Sequence, residues 1–241
     1  KKYSKKDKIM IDLLRRFRPA PLCDVICVWI AKKYLTPFFI NNKVKPNTIT
    51  LFMIITGGLS GILFIYPSVW TKILCSFLYL LWYSLDCSDG QVARATSNCS
   101  PEGKQLDYIA HIVAHPLFII GLFVTILSFY PYCNLFYLIT ISLLLLSSEM
   151  CNRLVIALAS YNEKKQSVVE IADNHPIRKI YNFINCQIGF MPNLLLFFPG
   201  IIFYDIYFDL YYFEYFFYIW GLYYIIYVSK ELFFYTLSIY K

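Results

Sequence analysis

Charged residues are scarce in this chain of 241 residues: Asp, Glu, Lys and Arg together make up 15% of it, whereas hydrophobic residues make up 59%. A soluble domain of this length needs far more charge on its surface. Apolar runs of about 20 residues recur between short polar segments, and that length matches the thickness of a bilayer. The composition therefore argues against a soluble globular protein and favours a single bundle of membrane-spanning helices.

Paired-cysteine motifs are also lacking. The eight cysteines are scattered, and no two of them form a CxxC pair. Cys23 and Cys27 are four residues apart, a spacing that suits one face of a helix better than a disulfide. We therefore expect free, buried thiols.

Basic residues are concentrated in one part of the chain. Residues 1–50 contain 12 of the 22 Lys and Arg residues. Beside so much apolar sequence, this charge favours the anionic head groups of lipids over nucleic acid as a partner. The pieces 22–30 and 34–40 are predicted to lie in the membrane interface as amphipathic segments. We expect short pieces and no span here, because three prolines interrupt the region: Pro19, Pro21 and Pro37.

Six candidate spans follow this basic region. They are predicted at 48–66, 70–85, 108–130, 135–161, 180–204 and 213–238. The predicted fold is an all-α polytopic membrane helix bundle with about six transmembrane helices. It consists of a basic interfacial segment over 1–46 and a six-helix transmembrane domain over 47–241.

The Lys and Arg residues of the connections predict the orientation of the spans. The turns at 66–70 and 130–134 contain none, whereas the connections at 86–107 and 162–179 are basic and the segment at 205–214 is acidic. Because basic and non-basic connections alternate, we expect both termini on the cytosolic side. The polar segment between spans two and three is then cytosolic as well.

That polar segment holds the side chains best suited to chemistry. Asp86 and Asp89 are three residues apart, Asp107 and His111 are four apart, and each pair shares one face of a helix. A short connection allows the two pairs to converge. Three carboxylates at the edge of a bilayer repel one another, and a divalent cation such as Mg²⁺ or Mn²⁺ relieves that repulsion.

Small and basic residues accompany these acids. Gly90 and Ala93 allow a ligand to approach the backbone closely, and Arg94 can neutralise phosphate oxygens in bidentate fashion. The segment therefore indicates a metal-dependent site for a substrate that carries phosphates.

These residues resemble the signature of the CDP-alcohol phosphotransferases, D-x-x-D-G-x-x-A-R-x(7 or 8)-G-x-x-x-D-x-x-x-D. Seven of its eight fixed positions match at the right spacing: Asp86, Asp89, Gly90, Ala93, Arg94, Gly103 and Asp107. A weaker match lies at the start of span one, where Pro46-Asn47-Thr48-Ile49-Thr50 is similar to the P-N-x-x-T of the family. The alternative there is that Asn47 or Thr48 caps the helix.

The resemblance implies an enzyme of phospholipid biosynthesis that transfers a substituted phosphate from a CDP-linked donor to an alcohol and releases CMP. One substrate is a lipid: either CDP-diacylglycerol is the donor, or diacylglycerol is the acceptor of a CDP-linked head group. Two ions, Mg²⁺ or Mn²⁺, are implied, and family members often form homodimers. The implied metal ligands are Asp86, Asp89, Asp107 and His111, and the implied nucleotide-binding residues are Asn47, Thr50, Asp86, Gly90, Ala93 and Arg94.

His111 stands where the family has its fourth aspartate, the position that deprotonates the attacking hydroxyl. Three interpretations are open: His111 is the catalytic base beside Asp107, it belongs to an altered metal site, or the chain is a catalytically silent member that binds nucleotide, lipid or a partner protein. His115 follows four residues later. It either extends the metal site or, as we expect, hydrogen-bonds within the bundle.

Other polar residues fall inside or beside the later spans. Glu149 and Arg153 are four apart in span four, where a structural ion pair is the simplest interpretation and binding of the acceptor alcohol is the alternative. Arg178 and Lys179 begin span five. They are predicted either to hold a substrate phosphate or to anchor the helix among lipid head groups.

Overall fold

The computed structural model describes residues 21–130, 132–161 and 191–239, and every regular element in these ranges is helical. Helix α1 (Leu22–Ile30) continues through a π-helical turn (Ala31–Leu35) into α2 (Thr36–Asn41). The longer helices are α3 (Pro46–Ile65), α4 (Val69–Ala95), α5 (Pro101–Phe129), α6 (Leu135–Tyr161), α7 (Met191–Tyr207) and α8 (Phe213–Ile239). The predicted all-α fold is confirmed, while the first part of predicted span five lies outside the described residues.

Within the described ranges, three helices are long and apolar enough to cross a membrane by length and composition: α3, α5 and the part of α6 over Leu135–Val155. Their outer faces suit contact with lipid. On α3 these outward residues are about half exposed: Leu51, Phe52, Ile55, Leu59 and Ile62. The chain is therefore an integral membrane protein with several apolar helices.

Helix α3 packs more extensively than any other described helix, against α4 on one side and α5 on the other. Glycines on α3 explain how closely they approach. A Cβ atom at Gly57 would lie 2.6 Å from Cδ1 of Trp82, and one at Gly61 would lie 2.4 Å from Cβ of Leu117. Small residues of this kind allow membrane helices to pack by van der Waals contact where lipid provides little hydrophobic driving force.

The N-terminal helices are fixed to α4 by polar contacts. The hydroxyl of Tyr83 donates to Oδ1 of Asp24 at 3.0 Å, and Oγ1 of Thr36 donates to Oε1 of Gln91 at 2.9 Å. Cys23 and Cys27 are both buried and form no disulfide, with Sγ atoms 3.8 Å apart, as their spacing predicted. The start of the described chain therefore lies along the helix that carries the first half of the motif.

The backbone stays helical through Pro37, which corrects the prediction that this proline breaks the region into separate pieces. In a regular α-helix the proline ring would clash with the carbonyl of Lys33 and remove a hydrogen bond. The wider π-helical turn over Ala31–Leu35 comes just before Pro37 and accommodates both effects. Leu22–Asn41 consequently forms one helical stretch.

At the far end of the bundle from the motif, the carboxylate of Asp205 joins two helices. Its Oδ2 accepts from the hydroxyl of Tyr130 at 2.7 Å and from the backbone N–H of Phe213 at 2.9 Å. Its Oδ1 accepts from the backbone N–H of Tyr212 at 2.9 Å. Asp205 therefore satisfies free N–H groups where α8 begins and holds them beside the end of α5.

We expect Asp205→Asn to lower the free energy of unfolding by about 1–3 kcal/mol, because an amide leaves one of the buried N–H donors without an acceptor. Thermal and SDS-induced unfolding in detergent would measure the change. Asp209→Asn is the matched control, since Asp209 is exposed in the same turn. Equal stability of the two variants would contradict a capping role for Asp205.

Candidate active site

The polar segment 86–107 is largely helical, because it is formed by the end of α4 and the start of α5. Helix α4 continues past the apolar stretch that ends at Leu85 and reaches Ala95, while α5 begins at Pro101. The hydroxyl of Ser100 accepts a hydrogen bond from the N–H of Gly103 at 3.0 Å and so caps α5. A turn of five residues therefore joins the end of α4 to the start of α5, and each helix carries part of the motif.

Asp86, Asp107 and His111 meet at this junction. Their donor atoms lie within 4.8 Å of one another. Nε2 of His111 is 3.6 Å from Oδ1 of Asp86 and 3.5 Å from Oδ1 of Asp107. Oδ1 of Asp107 is buried and accepts no hydrogen bond. A buried carboxylate oxygen without a donor is costly, so this position favours a cation, a proton or a hydrogen-bond donor.

The donor set of this cluster fits a divalent cation. Carboxylate oxygens suit Mg²⁺ and Mn²⁺, and an imidazole nitrogen shifts the preference towards Mn²⁺ or another transition metal. The side chain of Asp107 is 39% exposed, so the cluster is open to the surface of the bundle. Asp86, Asp107 and His111 therefore make a candidate metal site.

Asp89, the fourth predicted metal ligand, lies outside that three-residue cluster. Its Oδ2 accepts a hydrogen bond from Oγ1 of Thr50 at 2.7 Å. Burial, followed by the charges of Asp86 and Asp107, raises the pKa of Asp89 to about 7 despite the hydrogen bond from Thr50. Sequence reasoning assigned Thr50 to the nucleotide and missed this contact, although the match at P-N-x-x-T had already singled out the residue.

Two motif glycines lie where side chains approach the backbone. A Cβ atom at Gly90 would be 3.1 Å from Nη1 of Arg94, so the guanidinium folds back over this position. A Cβ atom at Gly103 would be 3.1 Å from Oδ1 of Asn47. The predicted nucleotide residues of α3 and α4 therefore border the same junction as the acidic cluster.

An open cleft lies between the turn that precedes α3 and the turn that follows α4. Two of its residues are lysines, whose charge favours an anionic ligand. The lining residues are Ile40, Lys43, Val44, Lys45, Pro46, Thr96 and Asn98.

A second polar group lies deeper in the bundle, directly behind His111. His115 and Glu149 are fully buried, and Nδ1 of His115 is 2.9 Å from Oε1 of Glu149. The predicted ion pair is present, with Nε of Arg153 donating to the same oxygen at 2.7 Å. His115 thus hydrogen-bonds within the bundle, as expected, whereas binding of the acceptor by Glu149 and Arg153 stays a prediction. Arg178 and Lys179 lie outside the described residues.

Two aromatic residues contact these polar side chains, and the sequence analysis did not predict either of them. The buried ring of Trp82 stands edge-on to His111, with centroids 5.1 Å apart, and it also contacts His115 at 5.6 Å. The hydroxyl of Tyr224, on α8, donates to Oε2 of Glu149. Neither residue differs from its many aromatic neighbours in the sequence, so nothing singled it out before the helices were packed.

A sequence model of the CDP-alcohol phosphatidyltransferase family matches residues 43–220. The matched range includes both halves of the motif and most of the described helices. The chain belongs to this family, whose members are CDP-alcohol phosphotransferases, and the resemblance inferred from the motif is confirmed.

Individual relatives match over a shorter range. The chain is 37% identical over 73 residues to cholinephosphotransferase 1 of Rattus norvegicus. The matched residues make up 27% of this chain and 18% of that protein. It is 30% identical over 96 residues to cholinephosphotransferase 1 of Xenopus laevis. Here the matched residues make up 36% of this chain and 22% of the relative. The chain thus spans less than a quarter of the curated relatives it matches. No solved structure matches it.

We expect the purified protein to bind Mn²⁺ and Asp107→Asn to weaken that binding by at least about tenfold, since losing even an outer partner of a metal ligand costs about that much. Electron paramagnetic resonance of free Mn²⁺ in a titration would measure the affinity. Glu102→Gln is the control, because Glu102 is an exposed carboxylate in the first turn of the same helix. If both variants bind as the parent does, the cluster is not a metal site.

Proposed function

We propose that this protein is a membrane enzyme of phospholipid biosynthesis that transfers a substituted phosphate from a CDP-linked donor to an alcohol and releases CMP. The observation that carries the proposal is the convergence of Asp86, Asp107 and His111 at the junction of two motif-bearing helices. Membership of the family supplies the reaction class.

The relatives bear on the choice of donor. They are named for the transfer of cholinephosphate, which favours a CDP-linked head group of that kind as donor and a lipid alcohol such as diacylglycerol as acceptor. The reverse arrangement, in which CDP-diacylglycerol is the donor and a polar alcohol attacks, is the alternative within the family. The two arrangements release the same CMP, so a substrate panel distinguishes them.

The residues of the junction have two different proposed roles, metal binding and nucleotide binding. Asp86, Asp89 and Asp107 are proposed to hold divalent ions, which when bound would neutralise and align the donor diphosphate. Arg94, Asn47 and Thr50 are proposed to hold the nucleotide part together with the backbone at Gly90 and Ala93. The lysines of the neighbouring cleft add positive charge on the side from which the nucleotide enters.

His111 is proposed to act as the base. Its Nε2 takes the proton of the acceptor hydroxyl while that oxygen forms a bond to the phosphorus of the transferred group. The bond from this phosphorus to the oxygen of CMP breaks, and CMP leaves with the electron pair. Asp86 and Asp107, each within 3.6 Å of Nε2, stabilise the imidazolium that results. The ring of Trp82 packs against that of His111, with centroids 5.1 Å apart.

The site is proposed to face the cytosol. Six spans within 47–241, with 1–46 in the interface and both termini inside, bring the basic connections to the cytosolic side. Asp205 and Glu214 lie at the opposite end of the bundle from the motif, which agrees with an acidic outer connection. A lipid substrate would enter between helices while the nucleotide enters from water. Arg178 and Lys179 are proposed to hold a substrate phosphate there.

We expect the protein in nanodiscs to release CMP from CDP-choline with diacylglycerol in the presence of Mg²⁺ or Mn²⁺. CDP-diacylglycerol with a panel of polar alcohols forms the second arm, and omission of the metal with added chelator forms the control. Failure to release CMP from any donor, combined with intact nucleotide binding, would replace this proposal with a catalytically silent member of the family.

We expect His111→Ala to lower kcat by about 10²–10⁴-fold, the usual contribution of a positioned base. His111→Asp restores the residue that the family signature contains and is expected to retain more activity than His111→Ala. Rates of CMP release at saturating substrate would compare the three proteins. If His111→Ala is as active as the parent, histidine is not the base.

A further inference from the structure

The open cleft between the turn before α3 and the turn after α4 combines positive charge with an apolar wall. Among the described residues that line it, two are lysines and none is acidic, while Ile40, Val44 and Pro46 form the apolar part. Lys43 and Lys45 are both exposed. A cleft with these two properties suits an amphiphilic anion better than a simple ion or a purely apolar group.

The position of the cleft along α3 places it at the level of lipid head groups. Pro46 is the first residue of α3, which is long and apolar enough to span a bilayer. The outward residue Leu51, which is about half exposed, follows about 7.5 Å further along the helix axis. At the end of α2, Phe38 is also more than half exposed. Acyl chains can therefore lie against these outer faces while a head group occupies the cleft.

The size of the cleft distinguishes a head group from a whole nucleotide. Its volume is about 220 Å³. Pockets that enclose a complete drug-sized ligand measure roughly 300–1,000 Å³. A phosphate with its ester oxygens is smaller, and the side-chain amide of Asn98, which lines the cleft, can donate to one of these oxygens. Because a lipid leaves most of its volume in the bilayer, the observations favour a lipid phosphate over the CDP-linked donor as the occupant.

We propose that this cleft binds one anionic phospholipid, with its phosphate between Lys43 and Lys45 and its acyl chains along the outer face of α3. The ligand class is a phosphodiester that has a net negative charge and lipid chains. The proposed orientation of the bundle places the cleft in the cytosolic leaflet, where anionic lipids give the membrane surface its negative potential. The site is separate from the acidic cluster, since an anionic lipid is attracted by lysines and repelled by aspartates.

A bound lipid has a consequence for the neighbouring nucleotide site. Asn47, which is proposed to hold the nucleotide, directly follows Pro46 of the cleft wall. The phosphate of the lipid reduces the positive charge that the two lysines present there. The KM for the CDP-linked donor should therefore rise with the anionic lipid content of the membrane. This consequence rests on the proposed function, whereas the binding of the lipid does not.

Native mass spectrometry of the detergent-purified protein, titrated with phosphatidylglycerol, tests the binding directly. We expect the parent to retain one phosphatidylglycerol that the double variant Lys43→Gly/Lys45→Gln loses. The affinity should fall by about 30-fold, from about fivefold for each lysine at a lipid surface. Lys32→Gln is the matched control, because Lys32 is an exposed lysine outside the cleft. Equal retention by the parent and the double variant would overturn the proposal.

Glycine at position 43 keeps a loss of binding separate from a loss of fold. The φ angle of Lys43 is 54°, in the left-handed region that glycine adopts without steric cost. Lys43→Gly should therefore leave the unfolding temperature unchanged or raise it, as a melt followed by circular dichroism in detergent would show. If Lys43→Gly is less stable than the parent, Lys45→Gln alone must show the fivefold loss of affinity. Its failure to do so would refute the lipid site.

Two further probes identify the chemistry of the occupant. Phosphatidylcholine has similar chains but no net charge, so the parent and the double variant should bind it equally. Glycerophosphoglycerol is the head group without chains, and it should compete only at a concentration on the order of 100-fold higher, because it lacks the apolar contact with the helices. A free phosphate is the occupant if the head group competes as well as the lipid does. That result, or an equal loss of both lipids in the double variant, contradicts the proposal.

Nanodiscs with an increasing fraction of phosphatidylglycerol in phosphatidylcholine test the consequence for the donor. The KM for CDP-choline should rise several-fold in the parent and in Lys32→Gln. The double variant should start from a higher KM and respond much less. An equal rise in all three proteins would mean that the membrane charge repels the donor directly, which would overturn the effect on the donor. If the parent releases no CMP, the proposed function fails, and mass spectrometry still decides whether the lipid site exists.

Discussion

Repulsion between Asp86 and Asp107 is the constraint to which the other features of the site respond. The two carboxylates belong to helices whose backbones hold them in place, so they cannot separate as they would on a mobile loop. The close contact between Gly103 and Asn47 also keeps the start of α5 against the start of α3. Their charge must therefore be balanced by a proton or by a cation, and Oδ1 of Asp107 has no hydrogen bond to do so.

Helical periodicity was enough to predict those parts of the site that lie within one helix. It grouped Asp107 with His111 and Glu149 with Arg153, and both pairs are in contact. It also grouped Asp86 with Asp89, but residues three apart are displaced by about 60° around the helix axis as well as along it. That displacement brings Asp89 to Thr50 on α3 and takes it away from the cluster formed with α5. Spacing alone does not specify which neighbouring helix each side chain meets.

Contacts between helices that are distant in sequence could not be predicted for the same reason. The meeting of His115 with Glu149 depends on the position of α6 against α5, and that of Glu149 with Tyr224 on the position of α8. Hydropathy found the apolar part of α4 but not its full extent. A helix continues as long as its backbone hydrogen bonds do, and those of α4 pass through the polar motif to Ala95. The same backbone continuity carries the N-terminal helix through Pro37.

The contact between the rings of His111 and His115 ties the acidic cluster to a third helix. His115 lies against His111 on one side, and its Nδ1 is 2.9 Å from Oε1 of Glu149 on α6. A shift of α6 against α5 would therefore move the ring that packs behind His111. The geometry of the candidate metal site thus depends on the packing of a helix that supplies none of its ligands.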